Sequence, residues 1–483
     1  MSLKSKTITG VLWSAVDNFA AQAITFLVGI ILARLLTPAE FGLIGMLAIF
    51  ISVSETFINS GFTNALIRKN DATETDYSTV FYFNLAAGVT LFVILFFTAP
   101  YIGRFFNEPQ LIPIVRVLAI GLIISSLTII QRTTLTKRID FKLQAKISLI
   151  SGILSGIIAI AMAYKGFGVW SLVVKTLSAQ AITSLLLWLW NRWRPTLVFS
   201  RKSFKELFSF GSKLLASGLI DTLYQNMYYV IIGKFFSPAD LGFFTRAKGF
   251  VDLPSTNLDA VMTRVTYPVL SQMQDDKVKL KAGYKRMIKS IMFISSVLLI
   301  GMAAIAEPMI ITLIGEPWRK AILYLQIISF IGMLYPLHAL NLNMLQVLGR
   351  SDLFLRLEII KKIISIPAIV IGVLISIEAM LIGMCFNSLI AYFINSYWSG
   401  KFINYPMREQ VIDILPGLGI ALLMGVGVYF AGLLLPFSYL IRLIIQLALG
   451  AILTIGISEL LKPEAYVELK RIAIDTIGKI RKK

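Results

Sequence analysis

The sequence predicts an all-α membrane protein that crosses a bilayer about fourteen times, as two pseudo-symmetric six-helix lobes followed by two further helices. Of its 483 residues, 57% are hydrophobic and 15% are charged, whereas soluble domains carry about 25% charged residues. The apolar residues form continuous runs, such as 89–99 and 443–457, that contain no charged side chain. Barrel strands would alternate apolar and polar residues. The runs therefore indicate helices that span the roughly 30 Å hydrocarbon core of a bilayer.

Fourteen windows of about 20 residues, separated by charged residues or by Pro and Gly, fit this interpretation. We number them spans 1 to 14, with approximate cores at 10–33, 43–66, 79–100, 112–131, 147–164, 168–190, 211–233, 249–271, 288–306, 321–345, 359–377, 379–398, 411–434 and 438–460. Span 1 follows a basic start, but its apolar stretch continues to Leu36 and is too long for a cleaved signal peptide. Spans 2, 7 and 8 contain so many polar residues that we expect a hydropathy plot to miss one of them.

The basic residues are divided unevenly between the two sides of the predicted membrane. An even number of spans places both termini on one side, and most of the 46 Lys and Arg residues lie in the termini and the even-numbered connections. The positive-inside rule assigns that side to the cytoplasm, so we expect a multi-pass membrane protein with both termini in the cytoplasm. Topology and attraction to anionic lipid explain the net charge of +20 without a nucleic-acid partner. Segments 199–210 and 470–483 resemble interfacial helices, with solvated helix ends as the alternative.

A ten-residue stretch occurs twice in the chain. ARLLTPAEFG (33–42) connects spans 1 and 2, and GKFFSPADLG (233–242) connects spans 7 and 8. Because six spans separate the copies, both have the same topology, which is typical of parallel repeats related by an axis along the membrane normal. We predict an N-terminal six-helix lobe at 1–198, a second six-helix lobe with a preceding interfacial segment at 199–400, and two additional helices with a basic tail at 401–483.

The spans next to the repeated stretch carry the most polar residues. Spacings of three, four and seven place many of these side chains on one helical face. The candidates for lining a water-filled cleft are Asp17, Asn18, Gln22, Ser52, Glu55, Asn59, Asp221, Gln225, Asn257 and Asp259. A charge at the centre of a membrane helix costs about 2.5–3.5 kcal/mol or more and usually faces a cavity or another charge. Hydrogen bonding inside a packed bundle is the alternative.

Enzymatic chemistry is not predicted. The chain has no G-x-x-x-x-G-K-[ST] phosphate loop. With one histidine, His338, and one cysteine, Cys385, the usual zinc ligand sets cannot be assembled. We predict no cofactor and no metal, and we interpret a two-lobed bundle with a polar cleft as an alternating-access transporter. For His338 we favour a hydrogen-bonded structural role, with proton coupling as the alternative.

Four stretches carry a resemblance to a known family: 10–46, 208–244, 258–276 and 345–362. With them the chain resembles Wzx-type polysaccharide flippases of the multidrug/oligosaccharidyl-lipid/polysaccharide superfamily, in the colanic-acid-exporter-like branch. The resemblance implies a two-lobed bundle of twelve core helices, typically with two more. It also implies a substrate, undecaprenyl-pyrophosphate carrying an oligosaccharide repeat unit, which is turned from the inner to the outer leaflet for exopolysaccharide or O-antigen synthesis.

Such a head group needs a wet path, since each sugar hydroxyl costs several kcal/mol where it cannot form a hydrogen bond. We predict that Arg264, Lys213 and Arg116 bind the pyrophosphate. Candidates for coupling to an ion gradient are Asp17, Glu55, Asp221 and His338. Expected partners are anionic lipids and the polymerase and assembly proteins of polysaccharide synthesis. Two alternatives stay open, a cation-coupled multidrug exporter and a non-transporting scaffold of the assembly complex.

Overall fold

The computed structural model describes residues 3–59 and 61–481, and within that part of the chain it contains helices and short connections but no strand. The helices, in chain order, are α1 (Leu3–Leu35), α2 (Pro38–Asn59), α3 (Phe62–Arg68), α4 (Glu74–Phe106), α5 (Leu111–Lys137), α6 (Phe141–Tyr164), α7 (Trp170–Trp190), α8 (Arg201–Phe235), α9 (Pro238–Ser271), α10 (Lys277–Ala304), α11 (Ala306–Leu313), α12 (Ala321–Val347), α13 (Ser351–Leu374), α14 (Ile377–Ile403), α15 (Met407–Leu434), α16 (Tyr439–Leu461) and α17 (Glu464–Arg481). The predicted all-α fold class is confirmed.

Each predicted span corresponds to one long helix. Spans 1 and 2 are α1 and α2, spans 3–9 are α4–α10, and spans 10–14 are α12–α16. Within the described residues, ten helical segments are long and apolar enough to cross a membrane, so the protein is a multi-pass membrane protein. Span 2 is among these ten, whereas spans 1, 7, 8 and 11 are not. Charged residues along α8, α9 and α13 lower their hydropathy, and the count of fourteen spans stays a prediction.

The chain forms two compact units, unit 1 (Met1–Thr245) and unit 2 (Arg246–Lys483). In unit 1, α5 packs against α4 and α7, α6 packs against α1 and α7, and α2 packs against α5 and α8. In unit 2, α10 packs against α12 and α15, and α14 packs against α12 and α13. The boundary between the units falls within α9, after Thr245. The predicted division into three parts stays a prediction.

The ends of α5 and α12 are built alike. Each helix is followed by a residue with positive φ, Ile139 at 59° and Gly349 at 71°. The next amide then reaches back to a helical carbonyl, that of Leu135 in the first case and of Leu345 in the second. This six-to-one hydrogen bond is the mark of a Schellman helix end. The same hydrogen bond also closes α4, from Glu108 to Gly103, and α14, from Tyr405 to Gly400, so it is a common helix end in this protein.

Segment 199–210 is the beginning of α8 rather than a separate interfacial helix. Ser200 caps the helix by accepting a hydrogen bond from the amide of Ser203, and α8 then continues without a break. Protein side chains cover part of its apolar face. Leu207 is buried, and the ring of Phe204 lies 5.8 Å from that of Phe62 in α3. Part of the apolar face thus packs against α3, and the interfacial role of this segment stays a prediction.

Charged groups connect the last two predicted spans, α15 and α16, to other parts of unit 2. Lys285 of α10 lies 2.9 Å from Asp413 of α15. Arg319, in the connection before α12, lies 2.8 Å from Glu316 and donates to the hydroxyl of Tyr439 at the start of α16. The hydrogen bond to Glu316 is the main cause that raises the pKa of Arg319. The C-terminal helices are thus part of a compact unit.

Segment 470–483 lies mostly within α17, which the structure describes as far as Arg481. The first turn of this helix is held to α10 by an ion pair of 2.6 Å between Glu464 and Lys289. The ring of Tyr466 lies 6.3 Å from that of Phe293. The interfacial role of the remaining turns stays a prediction.

We expect close packing of α13 on α14 to make Gly372 intolerant of a side chain. A Cβ at this position would lie 2.2 Å from the Cβ of Met380, and such overpacking costs about 1–3 kcal/mol. The matched control is Gly419→Ala in α15, where a Cβ would meet no atom within 4 Å. Thermal unfolding in detergent should show a lower midpoint for Gly372→Ala and an unchanged or higher midpoint for the control. Equal midpoints for the two variants would contradict the packing.

Candidate functional site

Both copies of the repeated stretch form the same helix start. In the first copy, the amide and hydroxyl of Thr37 donate to the carboxylate of Glu40 at 2.6 and 3.0 Å. In the second copy, the hydroxyl of Ser237 donates to the carboxylate of Asp240 at 2.6 Å. These are capping boxes, with a proline at the first helical position, where its missing N–H is not needed. The shared pattern of Ser or Thr, Pro, Ala and an acid therefore starts α2 and α9 in the same way.

The two copies also contact each other reciprocally, within unit 1. A Cβ on Gly42 would lie 1.7 Å from the carbonyl oxygen of Pro238, and a Cβ on Gly242 would lie 1.9 Å from that of Pro38. No other residue type fits at either glycine without moving the backbone. We call these four residues the Pro-Gly seam. The glycine of each copy contacts the proline of the other copy. Such reciprocal pairing is the pattern that contacts between symmetry-related surfaces show.

Helices α2 and α8 stay in contact along their lengths beyond the seam. The hydroxyls of Thr56 and Thr222 share a hydrogen bond of 3.0 Å. At the other end of α2, Gly61 has a φ of +67°, and a Cβ there would lie 2.6 Å from the carbonyl oxygen of Gly211. Glycines and threonines with small side chains let the two helices approach closely, as in other membrane bundles.

Each of these two helices leaves a row of polar side chains partly or fully exposed. The rows are Ser52, Glu55 and Asn59 on α2 and Ser217, Asp221 and Gln225 on α8. Among the residues whose side chains the structure describes, none forms an ion pair with Glu55. A Glu on a membrane-spanning helix without a counter-ion is either protonated or lies beside water or a bound cation. Unit 1 therefore presents a polar surface along the α2–α8 pair.

The structure reveals a cation that sequence reasoning missed, Arg132 in α5. It lies within electrostatic range of Asp17 in α1, whose carboxylate is also beside Ser148 in α6. The side chain of Arg132 is exposed to solvent. The predicted core of span 4 ended at Gln131, whereas α5 continues to Lys137. The longer helix moves Arg132 from a connection into a spanning element.

The other predicted site residues have varied settings. Gln22 is half-buried on α1. In unit 2, the amide of Asn257 donates to the carbonyl of Leu253 at 2.6 Å, and one carboxylate oxygen of Asp259 is buried with no hydrogen-bond partner among the described residues. The side chains of Asn18 and Arg264 lie outside the described residues.

The remaining cationic candidates and the histidine are engaged differently. Arg116 donates from Nε to the carbonyl of Phe96 in α4 at 3.3 Å and stacks over the same ring at 4.7 Å, so α4 holds its guanidinium. Lys213 is exposed on α8. His338 places Nε2 3.0 Å from the hydroxyl of Ser388, which fits the structural role we favoured. The pyrophosphate-binding and ion-coupling roles all stay predictions.

Comparison with known proteins identifies a family for this chain. A family model described as a polysaccharide biosynthesis protein matches residues 31–323. The chain belongs to this polysaccharide biosynthesis family. Among its relatives, it is 28% identical over 355 residues to the teichuronic acid biosynthesis protein TuaB of Bacillus subtilis, covering 73% of each chain. It is 26% identical over 462 residues to the lipopolysaccharide biosynthesis protein WzxC of Escherichia coli, covering 94% of this chain and 89% of that one.

Two solved structures resemble this member of the polysaccharide biosynthesis family. The lipid II flippase MurJ in an inward closed conformation has a TM-score of 0.74 at 13% identity, covering 93% of this chain and 99% of that chain. An inward-facing multidrug resistance MATE family transporter has a TM-score of 0.63 at 18% identity, covering 81% and 98%. At these identities the likeness shows the fold alone. The resemblance to Wzx-type polysaccharide biosynthesis proteins is confirmed.

We expect Asp17 and Arg132 to stabilise each other. Asp17→Asn and Arg132→Gln should each lower the unfolding midpoint in detergent, and the double variant should lower it by less than the sum, because the same attraction cannot be lost twice. A coupling of roughly 0.5–1 kcal/mol is expected for a partly exposed pair. The control cycle joins Asp17→Asn with Arg138→Gln, an exposed residue at the end of α5, and should be additive. If the changes in unfolding midpoint were additive in both cycles, Asp17 and Arg132 would not interact, and the predicted pair would be wrong.

Proposed function

We propose that the protein is a flippase that moves undecaprenyl-pyrophosphate-linked oligosaccharide repeat units from the inner to the outer leaflet of the bacterial cytoplasmic membrane by alternating access. Membership of the polysaccharide biosynthesis family and the fold shared with a lipid flippase support this proposal. The observation that carries it is the Pro-Gly seam, which joins the starts of α2 and α9 while the polar rows of α2 and α8 stay uncovered.

The seam acts as the closed end of the translocation path. The predicted topology puts both repeated connections outside the cytoplasm, so the contact seals the outer end. Glycine–carbonyl packing supplies close contact across the seam. Such a contact separates into two undamaged helix starts, because each capping box is complete within its own copy. The path then opens outward without breaking either helix.

Arg132 is the cation of unit 1 that we assign to the pyrophosphate. A pyrophosphate competes with the single charge of Asp17 for the Arg132 guanidinium, which is well suited to phosphate oxygens. Asp17 therefore neutralises the charge of Arg132 when the path is empty. When the substrate enters, the pyrophosphate replaces Asp17 as the partner of the Arg132 guanidinium. The polar rows hydrogen-bond the sugar hydroxyls, while the polyprenyl tail stays in lipid. Moving negative charge outward across an inside-negative membrane gains about 2.3 kcal/mol per charge per 100 mV.

Adding a methyl group to the seam should keep it from closing. We expect Gly42→Ala and Gly242→Ala each to destabilise the closed seam by about 1–3 kcal/mol and to reduce polysaccharide export by about tenfold or more. The measurement is surface polysaccharide in a host that lacks its own flippase, normalised to the amount of protein in the membrane. Gly249→Ala in α9, where a Cβ would meet nothing within 4 Å, is the matched control. Wild-type export by both seam variants would sink the gating role.

Reconstitution tests the transport reaction itself. Proteoliposomes that carry a lipid-linked oligosaccharide should show transfer between leaflets with the wild-type protein and little or none with Arg132→Ala, because the guanidinium is lost. Arg138→Ala should transfer normally. Normal transfer by Arg132→Ala would remove this residue from the path. No transfer by the wild type, combined with lowered dye accumulation in cells, would favour the multidrug exporter. No transfer and no effect on dye would favour the scaffold.

A further inference from the structure

One exposed face of α8 changes from basic to apolar along its length. Lys202, Lys205, Ser209 and Lys213 are all exposed, and their spacings of three and four residues place them on one face. Ile220 follows Lys213 by seven residues and therefore continues the same face. The row thus begins with three lysines in the first third of the helix and becomes apolar in the second half.

The apolar half of this face is an open groove with a volume of about 410 Å³. Ile49 of α2 forms part of its wall, and Ile220, Leu223, Met227 and Ile231 of α8 form most of the rest. Ile220 and Leu223 are 55% and 49% exposed. Met227 and Ile231 follow Lys213 by fourteen and eighteen residues, so the groove runs in line with this lysine and forms a single track.

The length and direction of the face match a lipid in one leaflet. Lys213 and Ile231 are about 27 Å apart along a helix that rises 1.5 Å per residue. The predicted topology puts the lysine end at the cytoplasmic surface, where lysines attract anionic head groups at about 1 kcal/mol each. The apolar track then extends outward at the depth of the lipid tails. Several lysines on one face suit a head group with more than one negative charge, and a single track suits a single chain.

We propose that this face of α8 is a docking site for a polyprenyl pyrophosphate of the inner leaflet. The pyrophosphate lies on Lys205 and Lys213, and the isoprenoid units nearest to it lie in the groove toward Met227. The inference rests on the proposed function, which supplies the substrate class. It adds a loading position on the outside of the α2–α8 pair, where the head group is captured before it reaches the polar rows.

Native mass spectrometry of the full chain in detergent tests the site with three probes: undecaprenyl pyrophosphate, undecaprenol and phosphatidylglycerol. We expect the wild type to retain undecaprenyl pyrophosphate in preference to the other two. Lys205→Gln/Lys213→Gln should weaken that binding about tenfold or more, and Ile220→Trp/Met227→Trp should weaken it by filling the groove. The matched controls are Lys277→Gln, an exposed lysine at the start of α10, and Leu185→Trp, whose side chain is 59% exposed on α7.

Two results would overturn the docking site. The first is wild-type binding of undecaprenyl pyrophosphate by both double variants. The second is equal retention of phosphatidylglycerol and its displacement of undecaprenyl pyrophosphate, which would make the face a phospholipid contact. Leaflet transfer measured with the same protein variants in proteoliposomes separates this inference from the proposed function. Variants that bind and transfer like the wild type refute the docking site alone, whereas a wild type that binds the probe but transfers nothing refutes the flippase and leaves the docking site standing.

Discussion

Two missing Cβ atoms determine how the central helices of unit 1 meet. Gly42 and Gly242 let the carbonyls of Pro238 and Pro38 approach to distances that no side chain tolerates. Each of these prolines starts a helix, so the contact fixes the start of α2 against the start of α9. Since α8 leads directly into the second copy, α2 and α8 are brought side by side, and Thr56 meets Thr222. The alignment of the polar rows follows from this contact.

The cost of charge in a membrane explains why the unpaired groups are informative. In unit 2, the charges of α10 and α15 are paired: Lys281 lies 2.8 Å from Glu409, and Lys289 lies 3.1 Å from Asp413. These pairs hold helices together and need no further explanation. Glu55 on α2 has no such partner among the described side chains, and it shares a surface with other polar groups. The ion pairs of unit 2 therefore hold helices together, whereas Glu55 is a group that the proposed path can use.

The sequence was informative where the physical signal is local, and it failed where tertiary packing decides. Apolar runs located every long helix, and the repeated Ser/Thr-Pro-Ala-acid pattern marked two helix starts that prove to be capping boxes. The window for span 4 ended one residue before Arg132, where the polar and basic end of the helix begins, so α5 was predicted too short and Arg132 was missed. Segment 199–210 has the composition of an interfacial helix, but composition does not reveal that its Phe204 packs against Phe62 of α3. Nor does a single sequence show that Gly42 meets Pro238, because that contact joins residues 196 positions apart.

Helix α8 combines three surfaces that a soluble helix would rarely carry together. One side packs on α2 through Gly211, Gly218 and Thr222. A second side carries the polar row that includes Asp221 and Gln225, and a third changes from lysines to an apolar groove. This division explains why α8 does not meet the hydropathy expected of a membrane span: only part of its circumference faces lipid. A helix that must contact a neighbouring helix, water and a lipid tail cannot be uniformly apolar, so its low hydropathy is a consequence of its position between these environments.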